Sequence, residues 1–549
     1  MKRILTLLLA ASAALWLSAC TQVSTSDDHS ARNGARSLHN NSTQPGIVRY
    51  ALGSDINTLN PTITTLAVEQ NVAGAIFDGL VEINDQQRLI PDLATVVPSV
   101  RNGGISRDGK TITYHLRHGV VWHDGKPFSA DDVIFTFRTI LNPRVNAPNT
   151  AIYEQVRAIS APDPYSVVVQ LKSPSAPAVA QLFCNGENGE IIPRHLLQNS
   201  SDFNRDPFAV KPVGTGPMEM DHWEHGSRLV LKPNPHYFRG APHIRQLQIL
   251  FISDHNTRLT MLSAKELDVG EIPLATQLPT LRSITGYTVS LVSGYTGVHA
   301  TFNVTRTPFD DVRVRQALVL ALDRKRFVAN TYGESGVPAD STLPPYNWAY
   351  SPDNHSLPYD VRRANTLLDQ AGWKLGSDGI RARDGRRLQF SLLTYAGATA
   401  RGILAQQMQN AWHAIGADVT VRPIPINVLF ARDSMYNKAE FDVALDGFVY
   451  DPDPDRSVNF GTKYFSPVGY NAARFSDREI DALSERGLAL YDQRQRKPIY
   501  VRLQQRLNEL VPVIPIAWPK TIYVVNNDLR GFKPEPVNSD FWNVQEWRI

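Results

Sequence analysis

From Ile47 onward short apolar segments alternate with amphipathic ones, and this alternation narrows the possible folds more than any other feature of the chain. Residues 47–52 have the length and apolarity of a strand, Asn60-Pro61 marks a turn, and residues 68–80 carry apolar side chains at helical spacing. Residues 111–116 and 120–122 read as strands, followed by His123-Asp124-Gly125-Lys126, a turn with Asp-Gly at its centre. A helix then starts after Ser129, which can cap it, and Asp131 and Asp132 suit the positive end of its dipole; Asn142-Pro143 ends it. Farther along, residues 229–232, 246–252 and 300–304 read as strands and 256–263 and 312–322 as helices. Amphipathic helices over 362–371 and 403–415 stop before Gly372 and Gly416, with strands at 388–394 and 419–421 between them. Such alternation predicts an α/β fold with a partly parallel sheet.

A chain of 549 residues exceeds one hydrophobic core, and at roughly 100 to 200 residues per domain about three are expected. Hydrophobic residues make up 42% and charged residues 20%, enough apolar surface to offset ordering entropy. The formal charge of +3 comes from 56 basic and 53 acidic residues without a block of either sign, which excludes a nucleic-acid binder driven by phosphate contacts. Of the two cysteines, Cys184 lies in Leu182-Phe183-Cys184-Asn185 and is expected to be a small buried hydrophobe rather than a reactive thiol.

The amino terminus sets the compartment. Lys2 and Arg3 precede an apolar run over 4–17, too short to cross a roughly 30 Å hydrocarbon core, so residues 1–19 read as a signal peptide. The run ends in Leu17-Ser18-Ala19-Cys20, which resembles a lipobox, making Cys20 the expected lipidated first residue of the mature protein. Cleavage removes Lys2 and Arg3 and takes the net charge from +3 to +1. Residues 20–45 are rich in Ser, Thr, Asn, Asp and Gln and read as a flexible tether, so the membrane is reached through lipid alone.

Several blocks then occur in a fixed order. They are Ile76-Phe77-Asp78-Gly79-Leu80, Ile90-Pro91-Asp92-Leu93-Ala94, and Val121-Trp122-His123-Asp124-Gly125-Lys126-Pro127-Phe128-Ser129-Ala130-Asp131-Asp132-Val133. Pro212-Val213-Gly214-Thr215-Gly216-Pro217, Asn234-Pro235-His236-Tyr237-Phe238 and Pro308-Phe309-Asp310-Asp311-Val312 follow. In these blocks the chain resembles the family 5 extracellular solute-binding proteins, the dipeptide- and oligopeptide-binding components of ABC importers. The resemblance implies a two-lobed, hinged periplasmic-binding-protein fold of the class II type with an extra domain in the first lobe. By analogy, 46–80, 206–297 and 516–549 form lobe I, 81–205 an inserted domain of that lobe, and 298–515 lobe II. It also implies a monomer that hands its ligand to permease and ATPase subunits, without a cofactor.

In peptide-binding relatives an aspartate after a Gly-aromatic pair holds the ligand's α-ammonium. The matching stretch is Gly447-Phe448-Val449-Tyr450-Asp451-Pro452-Asp453-Pro454-Asp455, and Asp451 fits best. It departs from the family pattern in carrying Phe448 where tryptophan is usual and in its compact spacing, and Asp-Pro pairs also build turns on their own. Tyr450, Asp453, Tyr295, Trp518 and the stretch from Thr65 to Glu69 are expected along the cleft by analogy of position.

Other chemistry finds little support. His222-Trp223-Glu224-His225 and the trio His115, His118 and His123 lack a metalloprotease helix pattern, and a surface location is expected for them. Gly214-Thr215-Gly216 lacks the third glycine of a dinucleotide fingerprint, and no Gly-x-Ser-x-Gly elbow occurs. No enzymatic activity is expected. The competing expectations are the same fold binding a metal chelate, an opine or a sugar, and, in other classes, an envelope enzyme, a sensor or a chaperone.

Overall fold

The computed structural model describes residues 39–549 apart from 149, 187, 355 and 432. The signal peptide, Cys20 and most of the expected tether lie outside the described residues. The end of that tether does not: Asn40 is buried, and Asn40 N and Thr43 Oγ1 donate to the Asp528 carboxylate at 3.1 and 2.6 Å. The folded body therefore starts at least seven residues before the expected boundary at 46, because short polar side chains there find fixed acceptors.

Twelve strands form one mixed sheet: β1 Ile47–Leu52, β2 Met218–Glu224, β3 Arg228–Pro233, β4 Gln246–Phe251, β5 Val269–Glu271, β6 Tyr287–Ser293, β7 Thr296–Phe302, β8 Gly336–Pro338, β9 Gln389–Tyr395, β10 Asp418–Ile424, β11 Val443–Val449 and β12 Val513–Asn526. Their order is β10-β9-β11-β7-β12-β5-β1-β4-β3-β2, with β6 and β8 also on β12. β1 runs parallel to β4 and β5, and β9 parallel to β10 and β11. The fold is mixed α/β, as the alternation predicts.

The fourteen-residue β12 joins the two wings of this sheet. Its first part pairs β7 from Thr301↔Val513 to Val298↔Ala517, and its second pairs β6 from Ser293↔Lys520 to Tyr287↔Asn526. The chain crosses between the wings a second time at Gly294-Tyr295, between β6 and β7. The apolar cores divide accordingly: one buries Val298, Phe302, Phe309, Leu392 and Trp412, another Val48, Tyr50, Leu229, Ile249 and Trp547. A third lies within 80–191, where strands Thr111–His115, Ser166–Leu171 and Val156–Asp163 form a separate antiparallel sheet.

Most of the ordered motifs converge on a buried polar knot. Asp78 accepts from Thr215 Oγ1 at 2.6 Å and from the Tyr237 hydroxyl at 3.0 Å, while Asp92 accepts from Gly79 N at 3.1 Å. Arg239 reaches Glu82 at 2.6 Å and Asp92 at 3.5 Å. His123 Nδ1 accepts from Gly214 N at 3.1 Å, and its Nε2 meets Gly216 O at 3.0 Å. Gly214 is demanded by this contact, because a Cβ there would lie 1.8 Å from Ile76 O. Helix α1, Ala67–Ile76, leads into the knot, and α2, Ala130–Ile140, carries the expected cap, Ser129 Oγ accepting from Asp131 N and Asp132 from Ser129 N.

Candidate functional site

Tyr295 follows β6, Tyr450 follows β11 and Trp518 lies within β12, so strand pairing alone brings three distant aromatics together at the junction of the wings. Tyr450 N donates to Tyr295 O at 3.0 Å, and the Tyr450 and Trp518 rings pack 5.9 Å apart. Gly297 makes room for them: a Cβ there would sit 2.9 Å from both Trp518 Cζ3 and Tyr450 Cε2. Phe448 stacks on His299 at 5.0 Å, and His299 Nε2 lies 3.0 Å from the buried Asp446 carboxylate, which also accepts from Thr301 and Tyr436. Burial drives the pair toward neutrality, lowering the pKa of His299 and raising that of Asp446.

The three aspartates after Tyr450 have different surroundings. Asp453 makes a two-pronged ion pair with Arg496 at 2.7 Å to each oxygen, and Arg496 is further fixed by Gly487 O and the Tyr500 hydroxyl. Burial opposes the charge on Arg496, but the Asp453 bonds outweigh it and raise its pKa. Asp455 accepts from Ser457 Oγ and N, and burial pushes its carboxyl up to about 6. Among the described residues Asp451 accepts one hydrogen bond, from Gln181 Nε2 of the 81–205 stretch at 3.0 Å. Burial raises its pKa, with Asp453 adding to the rise and the Gln181 bond and Arg456 working against it.

Arg456 is 2% exposed and lies 4.3 Å over the Tyr450 ring, its Nη1 donating to Asp453 O and Asp455 O. Its Nε and Nη2, and Nε1 of Trp518, are buried without an acceptor among the described residues. Buried N–H groups ordinarily have partners, so these are places where a ligand's oxygens or bound water would complete the site. A cavity of about 1130 Å³ opens at Pro452 and Asp453, in the same stretch of chain. Tyr295, Tyr346, Trp348 and Pro452 line one side, and Ala176, Pro177 and Ala180 of the 81–205 stretch line the other.

Thr65 and Glu69 stand apart from this cluster. Thr65 is exposed at the start of α1, and the buried Glu69 accepts from Asn57 N at 2.7 Å and from Thr64 Oγ1, tying the loop ahead of that helix. Among the described residues, no hydrogen bond or ring contact joins either residue to Tyr450 or Asp451. Sequence reasoning missed Gln181, Arg456 and Arg496. Nothing in local pattern marks Gln181, and only the Asp-Pro run near Arg456 hinted at a charged partner. His222 is about half exposed and pairs with Asp221 at 3.0 Å, and Cys184 is fully buried in the core of the 81–205 stretch.

Comparison with known proteins matches residues 88–468 to the bacterial extracellular solute-binding proteins, family 5 Middle. The chain is 26% identical to the oligopeptide-binding protein AppA of Bacillus subtilis, over 97% of this chain and 96% of that protein. It is 30% identical to Protein XP55 of Streptomyces lividans, over 84% of this chain and 81% of that one. Among solved structures, NikZ from Campylobacter jejuni in complex with Ni(L-His) superposes with a TM-score of 0.79 at 26% identity, covering 92% of this chain and all of that one. The chain belongs to the bacterial extracellular solute-binding proteins of family 5, transport components that bind a solute without transforming it.

Proposed function

We propose that this protein is the lipid-anchored solute receptor of an ABC importer and that it captures a peptide or peptide-like solute between two lobes. Lobe I comprises 46–80, 206–297 and 516–549 with 81–205 inserted, and lobe II comprises 298–515. The observation that carries the reading is the state of Asp451. Its neighbour Asp453 is committed to Arg496, whereas Asp451 is held by the neutral amide of Gln181 at the margin of the cavity. A ligand's α-ammonium is a stronger partner for that carboxylate than an amide, since charge-assisted bonds are roughly twice as strong as neutral ones. Tyr450, Tyr295 and Trp518 supply apolar surface beside it, and the unpartnered N–H groups of Arg456 and Trp518 offer donors to peptide carbonyls. A ligand touching both lobes favours the closed arrangement by its differential affinity for it. The name of the Bacillus relative, an oligopeptide-binding protein, agrees with this assignment.

The likeness to NikZ bound to Ni(L-His) favours a second reading, an amino-acid metal chelate held by the same carboxylate and aromatics. Among the described residues no group of three or more His, Cys, Asp or Glu is arranged to hold a bare metal ion, so the metal would arrive already chelated.

Export and anchoring rest on the apolar run over 4–17 and on Leu17-Ser18-Ala19-Cys20. Mass spectrometry of the full chain purified from bacterial membranes tests both parts. An acylated amino-terminal Cys20 together with short peptides released on mild denaturation is expected. An unmodified Cys20 overturns the anchor, and a single non-peptide compound overturns the substrate.

A further inference from the structure

A second, smaller cavity of about 230 Å³ lies within the 298–515 stretch, and none of its lining residues lines the larger one. One wall is helix α3, Arg478–Ala489, which presents Asp481, Ser484, Glu485 and Leu488 at the i, i+3, i+4, i+7 spacing of a single face. Its other face, with Ile480, Leu483 and Gly487, packs in the core that holds Tyr500 and Leu503. The facing wall is the turn from Gly461 to Tyr464, fastened to the helix where Thr462 N and Oγ1 donate to the two Asp481 oxygens at 2.9 and 2.7 Å. Ser484 is 3% exposed, and its Oγ has no partner among the described residues. Buried hydroxyls ordinarily have one, so this atom marks a place for a ligand's polar group. Glu485 and Lys463 line the same cavity, both exposed, and neither forms an ion pair with a described residue; the Lys463 ammonium lies 5.3 Å over the Tyr464 ring.

We propose that this cavity binds one free amino acid as a zwitterion. The α-ammonium meets the Glu485 and Asp481 carboxylates, the ligand's carboxylate meets Lys463, and Ser484 Oγ donates to that carboxylate. Asp481 and Glu485 against Lys463 leave one negative charge in excess, which favours a ligand that carries an ammonium and disfavours a simple carboxylic acid. At about 230 Å³ the cavity is smaller than the roughly 300–1,000 Å³ of pockets for drug-sized ligands, so it has room for a single amino acid and not for a peptide. Tyr464 and Leu488 give its side chain apolar surface. Because Glu485 and Lys463 are exposed, each ion pair is moderate and screened by salt. The site does not depend on what the larger cavity binds.

Isothermal titration and saturation-transfer NMR of the full chain with L-alanine, ethylamine and propionate test this. L-Alanine should bind about tenfold more tightly than ethylamine, and propionate more weakly still, with the affinity for L-alanine falling at high salt. Glu485→Gln and Lys463→Gln, both at exposed positions and matched to wild type in melting temperature, should each weaken L-alanine binding about fivefold. Ser484→Ala should weaken it too while leaving the fold intact, since it deletes a hydroxyl that has no partner. Absence of L-alanine binding by wild type, binding of ethylamine as tight as that of L-alanine, or unchanged L-alanine affinity in both Glu485→Gln and Lys463→Gln overturns the site.

Discussion

Asp451 and Asp453 are two residues apart, yet their surroundings assign them different work. Asp453 and Arg496 have side chains 13% and 5% exposed and satisfy each other fully, so Asp453→Asn leaves a buried guanidinium without its counterion. That loss should cost about 3 kcal/mol of stability. Asp451→Asn removes no ion pair and should leave the melting temperature nearly unchanged. It should instead weaken binding of a free-amine peptide by more than about 2 kcal/mol, measured by titration calorimetry. Loss of stability in the first variant with intact folding and lost affinity in the second is the expected pattern. Unchanged affinity in Asp451→Asn would sink the ammonium anchor.

At the scale of elements, hydrogen bonds tie the 81–205 stretch to residues of 298–515. Ala176 N donates to Leu488 O at 2.8 Å, the Tyr491 hydroxyl donates to Gly109 O at 2.7 Å, and Gln181 reaches Asp451. Ser175 N also donates to the Tyr491 hydroxyl, at 3.3 Å. They join residues that line or flank the cavity, Ala176, Ala180, Pro452 and Tyr491 among them, so in the proposed hinged arrangement they would form when the two sides approach. Tyr491→Phe deletes the hydroxyl and keeps the ring. It should reduce peptide affinity by about 1 kcal/mol while barely moving the melting temperature of the ligand-free protein. Equal affinity in the two proteins would show that these contacts persist whether or not ligand is bound. Several of the ordered motifs, by contrast, serve architecture: Asp78, Asp92, His123, Thr215 and Tyr237 lock the 81–205 stretch onto the sheet.

For the whole molecule the buried acids set how stability varies with pH. Burial pushes Asp78, Glu190, Glu271 and Glu535 up to about 7 and Asp455 and Asp540 up to about 6. The unfolded chain releases these protons near pH 4, whereas the folded one keeps them until about 6 to 7. Their contribution is therefore complete below about 4 and is lost as pH rises toward 7. His123 and His299, whose pKa values burial lowers, act in the opposite sense below about 6.5, but they are two groups against six. The melting temperature should be higher at pH 5 than at pH 8. A higher value at pH 8 would contradict this account.

Local physics made much of this legible in the one-dimensional pattern. Strand and helix periodicity gave the α/β class, Ser129 and Asp132 announced their helix, and the Asp-Gly turn at 124–125 follows from glycine's access to positive φ, +81° at Gly125. Tyr295, Tyr450 and Trp518 could be named by analogy, but their meeting depends on β7 pairing with β11, as in Thr296↔Val449, and with β12, as in Val298↔Ala517, across long stretches of chain. The division of labour between Asp451 and Asp453 was invisible, because Asp-Pro-Asp-Pro reads the same whether an aspartate meets Arg496, forty-three residues on, or Gln181, two hundred and seventy residues back. The early start of the body at Asn40 was hidden for the same reason, its acceptor being Asp528. Class, compartment signals and the candidate stretch follow from the residue pattern alone, since they depend on near neighbours and composition. Which carboxylate is committed, where the cavity lies and how its charges are arranged were decided only by tertiary structure, because electrostatic partners and solvent exclusion come from chain segments brought together by the sheet.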